Sequence, residues 1–209
     1  MFSLQRVVGE DGKILELLQL CAEEACHSVA ALRTLTSQPI SGASLATFRS
    51  ARKKEKELLG SVADALLHSL VLAIEREDVQ ALGDSLYRVP KTVDNFARRY
   101  IIAAGQLKGV DFSRQIDLME RGCNTVARMI RGLRERAPIA DLKQLNANMQ
   151  KIENDADDLV LEILGGLFEP SVPTLKAIII KDLVELNEKV VDRCRDAGNV
   201  IVRVALKHT

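Results

Sequence analysis

The densest group of metal-type ligands in the sequence is Glu153-Asn154-Asp155-Ala156-Asp157-Asp158. Glu153 and Asp157 are four residues apart, so on a helix both carboxylates share one face. The same spacing recurs in Glu188-Lys189-Val190-Val191-Asp192, with Asp182 and Glu185 upstream and Asp196 and Asn199 downstream. Two antiparallel neighbouring helices would bring these pairs together. Like charges at that spacing repel by a few tenths of a kcal/mol per exposed pair. A cation between them would remove the cost, and hard oxygen donors suit Mg, Ca, Mn or oxidised iron. A solvated acidic face is the plainer reading of the spacing alone.

A second pattern is Glu24-Ala25-Cys26-His27, an E-x-x-H. Di-iron carboxylate bundles use two such motifs with two further glutamates. Here the other histidines, His68 and His208, have Ala65 and Ala205 three residues back. A redox di-iron enzyme is therefore disfavoured, and His27 reads as a partner of Glu23 or Glu24 along its helix. Cations cluster at Arg52, Lys53, Lys54 and Lys56, interleaved with Glu55 and Glu57. They cluster again at Arg88, Lys91, Arg98 and Arg99, and at Arg128, Arg131, Arg134 and Arg136. Each group suits an acidic partner, an anionic lipid surface or simply a solvated helix face. No phosphate-cradling GxxxxGK[ST], no GxGxxG after a strand and no GxSxG occurs. Three histidines leave few groups for acid–base work near neutral pH. The residues favour an interaction or regulatory protein over an enzyme.

Breakers divide the chain into six long segments. The first runs from about Lys13 to Leu35 and ends at Ser37-Gln38-Pro39. The second starts near Ser41 or Ser44 and reaches about Glu75. The third opens near Asp78 and ends near Gly105–Gly109, with Pro90 expected to kink or break it. The fourth starts at Asp111 or Ser113, which can both cap a helix, and stops before Pro138. The fifth covers about Pro138 to Phe168, and the sixth runs from beyond Pro173 almost to Thr209. Apolar residues recur in steps of three and four. Leu142, Leu145, Met149, Ile152, Ala156, Leu159 and Ile163 form one stripe. Ile179, Leu183, Leu186, Val190, Ala197, Ile201 and Val204 form another. Such stripes must pack on other helices, and long helices with short connections form antiparallel bundles. The three-plus-three layout suggests an internal duplication within one domain, 1–209, with repeats of about 10–108 and 111–207.

The composition fits that architecture. The chain has 209 residues, 47% of them hydrophobic, with Gly 12 and Pro 5, few for a turn-rich β protein. Lys+Arg and Asp+Glu are both 29, so there is no net basic field to attract nucleic acid. Aromatics are 3% and Trp is absent, which leaves little for a base-stacking surface or an aromatic-lined pocket. No run approaches the ~20 apolar residues of a membrane span, and Met1 to Val8 lacks the form of a signal peptide. Cys21, Cys26, Cys123 and Cys194 form no CxxC and read as small apolar thiols of a reducing cytoplasm.

Ile152-Glu153-Asn154-Asp155-Ala156-Asp157-Asp158 followed by Leu167-Phe168 resembles the PhoU-like phosphate-transport accessory proteins. So does Glu188-Lys189-Val190-Val191-Asp192-Arg193-Cys194 running into Asp196-Ala197-Gly198-Asn199-Val200-Ile201, and so does the helix start Arg76-Glu77-Asp78-Val79. The resemblance implies an all-α fold of six long antiparallel helices in two three-helix repeats. It implies a non-enzymatic accessory role at a membrane phosphate transporter of the low-affinity inorganic phosphate type. Contact with the membrane would be peripheral, at the cytoplasmic face, and a homodimer is a reasonable expectation. Relatives carry E/D-x-x-x-D motifs that bind metal ions, often iron, and these map onto Glu153, Asp157, Glu188 and Asp192. The chain departs from the pattern in its first half, where Tyr87, Arg88, Val89, Pro90 and Lys91 stand in the acidic stretch. Tyr87, Arg88 and Lys91 would then serve a partner or an internal ion pair. Arg195 also stands where relatives often carry an acid. The rival readings are a helical scaffold for an unrelated partner and a metal-dependent enzyme with a carboxylate site.

Overall fold

The computed structural model describes residues 4–37, 46–69, 72 and 74–208. They form six α-helices and no strand among the described residues: α1 (Leu4–Ser37), α2 (Ala46–His68), α3 (Arg76–Ile102), α4 (Ser113–Arg134), α5 (Ile139–Leu167) and α6 (Thr174–Lys207). A single 3₁₀ turn, Ala104–Gln106, follows α3. The all-α bundle expected from the periodicity is what the chain forms.

Each helix is held by a stripe that only neighbouring helices can cover. On α1 it is Ile14, Leu18, Cys21, Ala25, Val29 and Leu32, none of them more than 3% exposed. On α3 it is Val79, Leu82, Leu86, Val89, Val93 and Phe96, at steps of three and four. Burying one such Leu, Val or Phe side chain contributes about 1.5–3 kcal/mol before entropy is counted. In the two stripes read from the sequence, Leu142, Met149, Ile152, Ala156, Leu159, Leu183, Val190, Ala197, Ile201 and Val204 are buried. Leu145, Ile163, Ile179 and Leu186 are partly buried against the same core.

The packing is three helices on three. α1 touches α2 and α3, while α5 touches α4 and α6, and α4 touches α6. The two triplets meet through α1 on α4 and α3 on α6. α2 and α5 are thus the outer helices, and α1, α3, α4 and α6 form the centre. Phe96 and Tyr100 of α3 close one end with Phe112, their ring centroids 5.5–6.0 Å apart. Three of the few aromatics are spent there. Cys123 of α4 and Cys194 of α6 are buried free thiols with sulfurs 3.6 Å apart.

Several boundaries differ from the sequence reading. α1 begins well before Lys13, running through Gly9 and Gly12. α2 starts at Ala46, and the expected starts at Ser41 or Ser44 fall outside the described residues. It ends at His68 rather than near Glu75. The carbonyls of Leu66 and Ser69 accept hydrogen bonds from the Arg76 guanidinium instead of from further helix. The expected break at Pro90 does not occur. α3 continues through it, and Val89 and Val93 on either side are buried against the core, which outweighs one lost backbone donor. α4 begins at Ser113 with Phe112 at the cap position, so neither expected residue occupies it. Asp111 still accepts the Ser113 backbone N–H at 2.9 Å and its hydroxyl at 2.8 Å, which holds its carboxyl below the usual range.

Candidate functional site

The neighbouring α5 and α6 do bring the two acidic pairs of the sequence together, but a cation of the protein's own already stands between them. Glu153 is 7% exposed. It accepts hydrogen bonds from the guanidinium of Arg195 on α6 and from the amide of Gln150, one turn earlier on α5. Arg195 also reaches Asp192 at 3.1 Å and Asp196 at 3.3 Å. Glu188 sits on the same side. Burial first, then the charge and hydrogen bond of Asp192 and the charge of Asp157, push its carboxyl up to about 7. Asp157 itself is exposed. Beside Glu188, both amide atoms of Asn187 are buried without a partner. They border a void of about 10 Å³, at the lower limit for one water.

This arrangement does not fit a metal ion. Both oxygens of Glu153 are engaged, one by Arg195 and one by Gln150, and one oxygen of Asp192 meets Arg195 as well. Among the described residues no group of three or more His, Cys, Asp or Glu is placed to hold a metal. Of the expected ligands Glu153, Asp157, Glu188 and Asp192, the structure gathers the last three electrostatically and ties the first to an arginine. Arg195 takes the position the motif would offer a cation, and neutralises by ion pairing what a metal would neutralise by coordination.

The first half of the chain builds a related cluster around Glu55, which the spacing had not singled out as a site. Glu55 of α2 is fully buried. One of its oxygens accepts from Arg52, and the other has no partner. Burial outweighs the Arg52 charge and, helped by Glu24 and Asp94, pushes the Glu55 carboxyl up to about 8. Arg52 donates in addition to the Tyr87 hydroxyl at 2.7 Å, and its Cζ lies 4.5 Å from the Tyr87 ring centroid. Asp94 accepts from Arg98 at 3.0 Å and keeps one oxygen buried and unpartnered. Glu24 pairs with Lys54 at 2.5 Å and with His27 at 3.4 Å. The E-x-x-H pair of α1 is therefore an intrahelical contact. The sequence signal for Glu55 was its spacing of three from Arg52, which on a helix favours an ion pair.

The cationic groups separate along α3 and α4. Arg99 pairs with Asp182 of α6. Arg131 faces Glu23 at 4.0 Å and Arg134 donates to Gln19 at 2.9 Å. Arg88, Lys91 and Arg98 of α3 instead line one cavity with Arg52 and Arg193.

Six long helices packed as two facing triplets make the PhoU-like all-α fold. Two solved structures from Shewanella oneidensis MR-1 share it. One is a PhoU-like protein, with a TM-score of 0.78 and 17% sequence identity, covering 93% of this chain and 99% of that one. The other is described as a PhoU-like phosphate regulatory protein, with a TM-score of 0.69, the same 17% identity and the same coverage. No protein-family model and no curated protein matches the chain by sequence.

Proposed function

We propose that this protein is a non-enzymatic regulator of inorganic phosphate transport, acting from the cytoplasm on a low-affinity phosphate permease. The observation that carries the reading is the fold match along nearly the whole of both chains to a phosphate regulatory protein. The carboxylates support it in a second way. They are engaged by Arg52, Lys54, Arg98 and Arg195, an arrangement that stabilises a scaffold rather than leaving groups free for chemistry. No helix among the described residues is long and apolar enough to cross a membrane, so contact with the permease would be peripheral.

The end of the α5–α6 hairpin suits that contact. Leu161, Phe168, Leu175 and Ile178 are 59–82% exposed there. Phe168, Ile178, Leu164 and Val172 border a groove of about 390 Å³. Exposed apolar surface of this kind marks a contact site. Docking there would let a transporter favour one packing of α5 on α6, and regulation would follow from that difference in affinity. Membranes containing the permease should retain the purified protein, and Phe168→Ser with Ile178→Ser should weaken retention at least tenfold. Equal retention on membranes without the permease contradicts the reading.

A further inference from the structure

Five cations from three helices surround one cavity of about 520 Å³: Arg52 of α2, Arg88, Lys91 and Arg98 of α3, and Arg193 of α6. Three of them are held by carboxyl groups. Arg52 meets Glu55, Arg98 meets Asp94 at 3.0 Å and Arg193 meets Asp196 at 3.2 Å. Among the described residues the side chains of Arg88 and Lys91 have no ion pair and no hydrogen bond. At least two positive charges are therefore left over at the cavity, in a protein whose formal net charge is zero. Arg88 and Arg193 also line an adjoining cavity of about 420 Å³, which adds Asp84 and Ser85.

We infer that the cavity between α2, α3 and α6 binds a small phosphate-bearing anion. A phosphate group carries about −1.5 to −2 at neutral pH, which matches the two unpaired cations. Guanidinium groups bind its oxygens in pairs, and Arg52 is already held in place by Glu55 and the Tyr87 ring. Asn95 lines the same walls and supplies an amide, while the Thr92 hydroxyl donates to the Arg88 carbonyl at 2.9 Å. A concave site focuses the field of its charges more than a flat basic surface does. Its volume lies within the roughly 300–1,000 Å³ range of small-molecule sites. The inference is independent of the docking reading, because a purified protein can bind the anion whether or not it regulates a transporter.

Calorimetric titration of the full chain with inorganic phosphate and with pyrophosphate at low salt tests it. Sedimentation with phosphatidylcholine vesicles containing phosphatidic acid tests the same chemistry presented as a lipid headgroup. Saturable binding to the soluble anions assigns a free ligand. Retention on the acidic vesicles without soluble binding assigns a headgroup, and either supports the site. Arg88→Ala with Lys91→Ala should weaken the observed binding at least tenfold with the helical circular dichroism unchanged. Both side chains are exposed and unpaired, so the fold does not depend on them. Arg128→Ala, an exposed cation of α4, should leave binding as it was. Failure of all three probes to bind overturns the inference. So does an equal loss in Arg128→Ala, which would make the attraction a general surface effect.

Discussion

Arg195 gives the residues their character. It satisfies Glu153, which is nearly buried, and bridges to Asp192 and Asp196 on its own helix. Losing a hydrogen-bonded charge partner of a buried carboxylate costs about 1.5–3 kcal/mol. Arg195→Met should lower the denaturant-derived stability by about 2 kcal/mol, and Arg195→Lys should recover part of it. The i,i+3 pair with Asp192 was legible from spacing. The reach across to Glu153 was not, because the sequence does not say how α5 and α6 are rotated against each other. Glu55 has a pH signature. Its carboxyl rises from an ordinary value of 4.5 to about 8 in the folded protein, mainly through burial. Between those values the folded state binds a proton that the unfolded chain has lost. Stability is therefore greatest below the lower value and falls as pH rises towards the upper one, by up to about 1.4 kcal/mol per pH unit. Glu188, raised to about 7, adds a fall of the same sign. Glu55→Gln should flatten the stability–pH profile between pH 5 and 8, read by urea denaturation at each pH. An unchanged slope would mean that Glu55 is ionised in the folded protein.

The helices themselves were largely written in their apolar periods. The stripes of α5 and α6 are buried as the spacing required, because a stripe of that length has no other way to leave water. The misjudged boundaries have local causes. Leu70–Ile74 reads as more helix, yet α2 stops at His68, where Arg76 from the start of α3 takes up carbonyls that another turn would have used. A contact between the end of one helix and the start of the next leaves no periodic trace. Arg76→Ala should cost about 1 kcal/mol and raise amide exchange in the last turn of α2. Unchanged exchange there would remove Arg76 from the account of that terminus. The same number of residues separates Glu55 from Glu153, Asp94 from Asp192, and the helix starts Arg76 and Thr174. We read this as a duplication whose halves each kept a buried outer-helix carboxylate. They hold it differently, with Arg52, itself bonded to Tyr87, in one and Gln150 and Arg195 in the other.

At the scale of the molecule, the bundle presents two surfaces of opposite chemistry. The basic cavity lies where α2, α3 and α6 meet, and the apolar end of the α5–α6 hairpin lies on the outer helix of the other triplet. α6 contributes to both, through Arg193 and Ile178, so a change in its packing would be felt at each. The fold was legible in the sequence because long amphipathic helices with short connections have few ways to pack. The cavity was not, because Arg52, Arg88 and Arg193 come from three helices and converge only in space. The most direct measurement is uptake of labelled phosphate by cells with and without this protein, at matched permease levels. The account predicts a change in uptake that the wild-type chain restores and the Phe168→Ser/Ile178→Ser variant does not. Uptake unaffected by the protein at both limiting and saturating phosphate would contradict a role in phosphate transport.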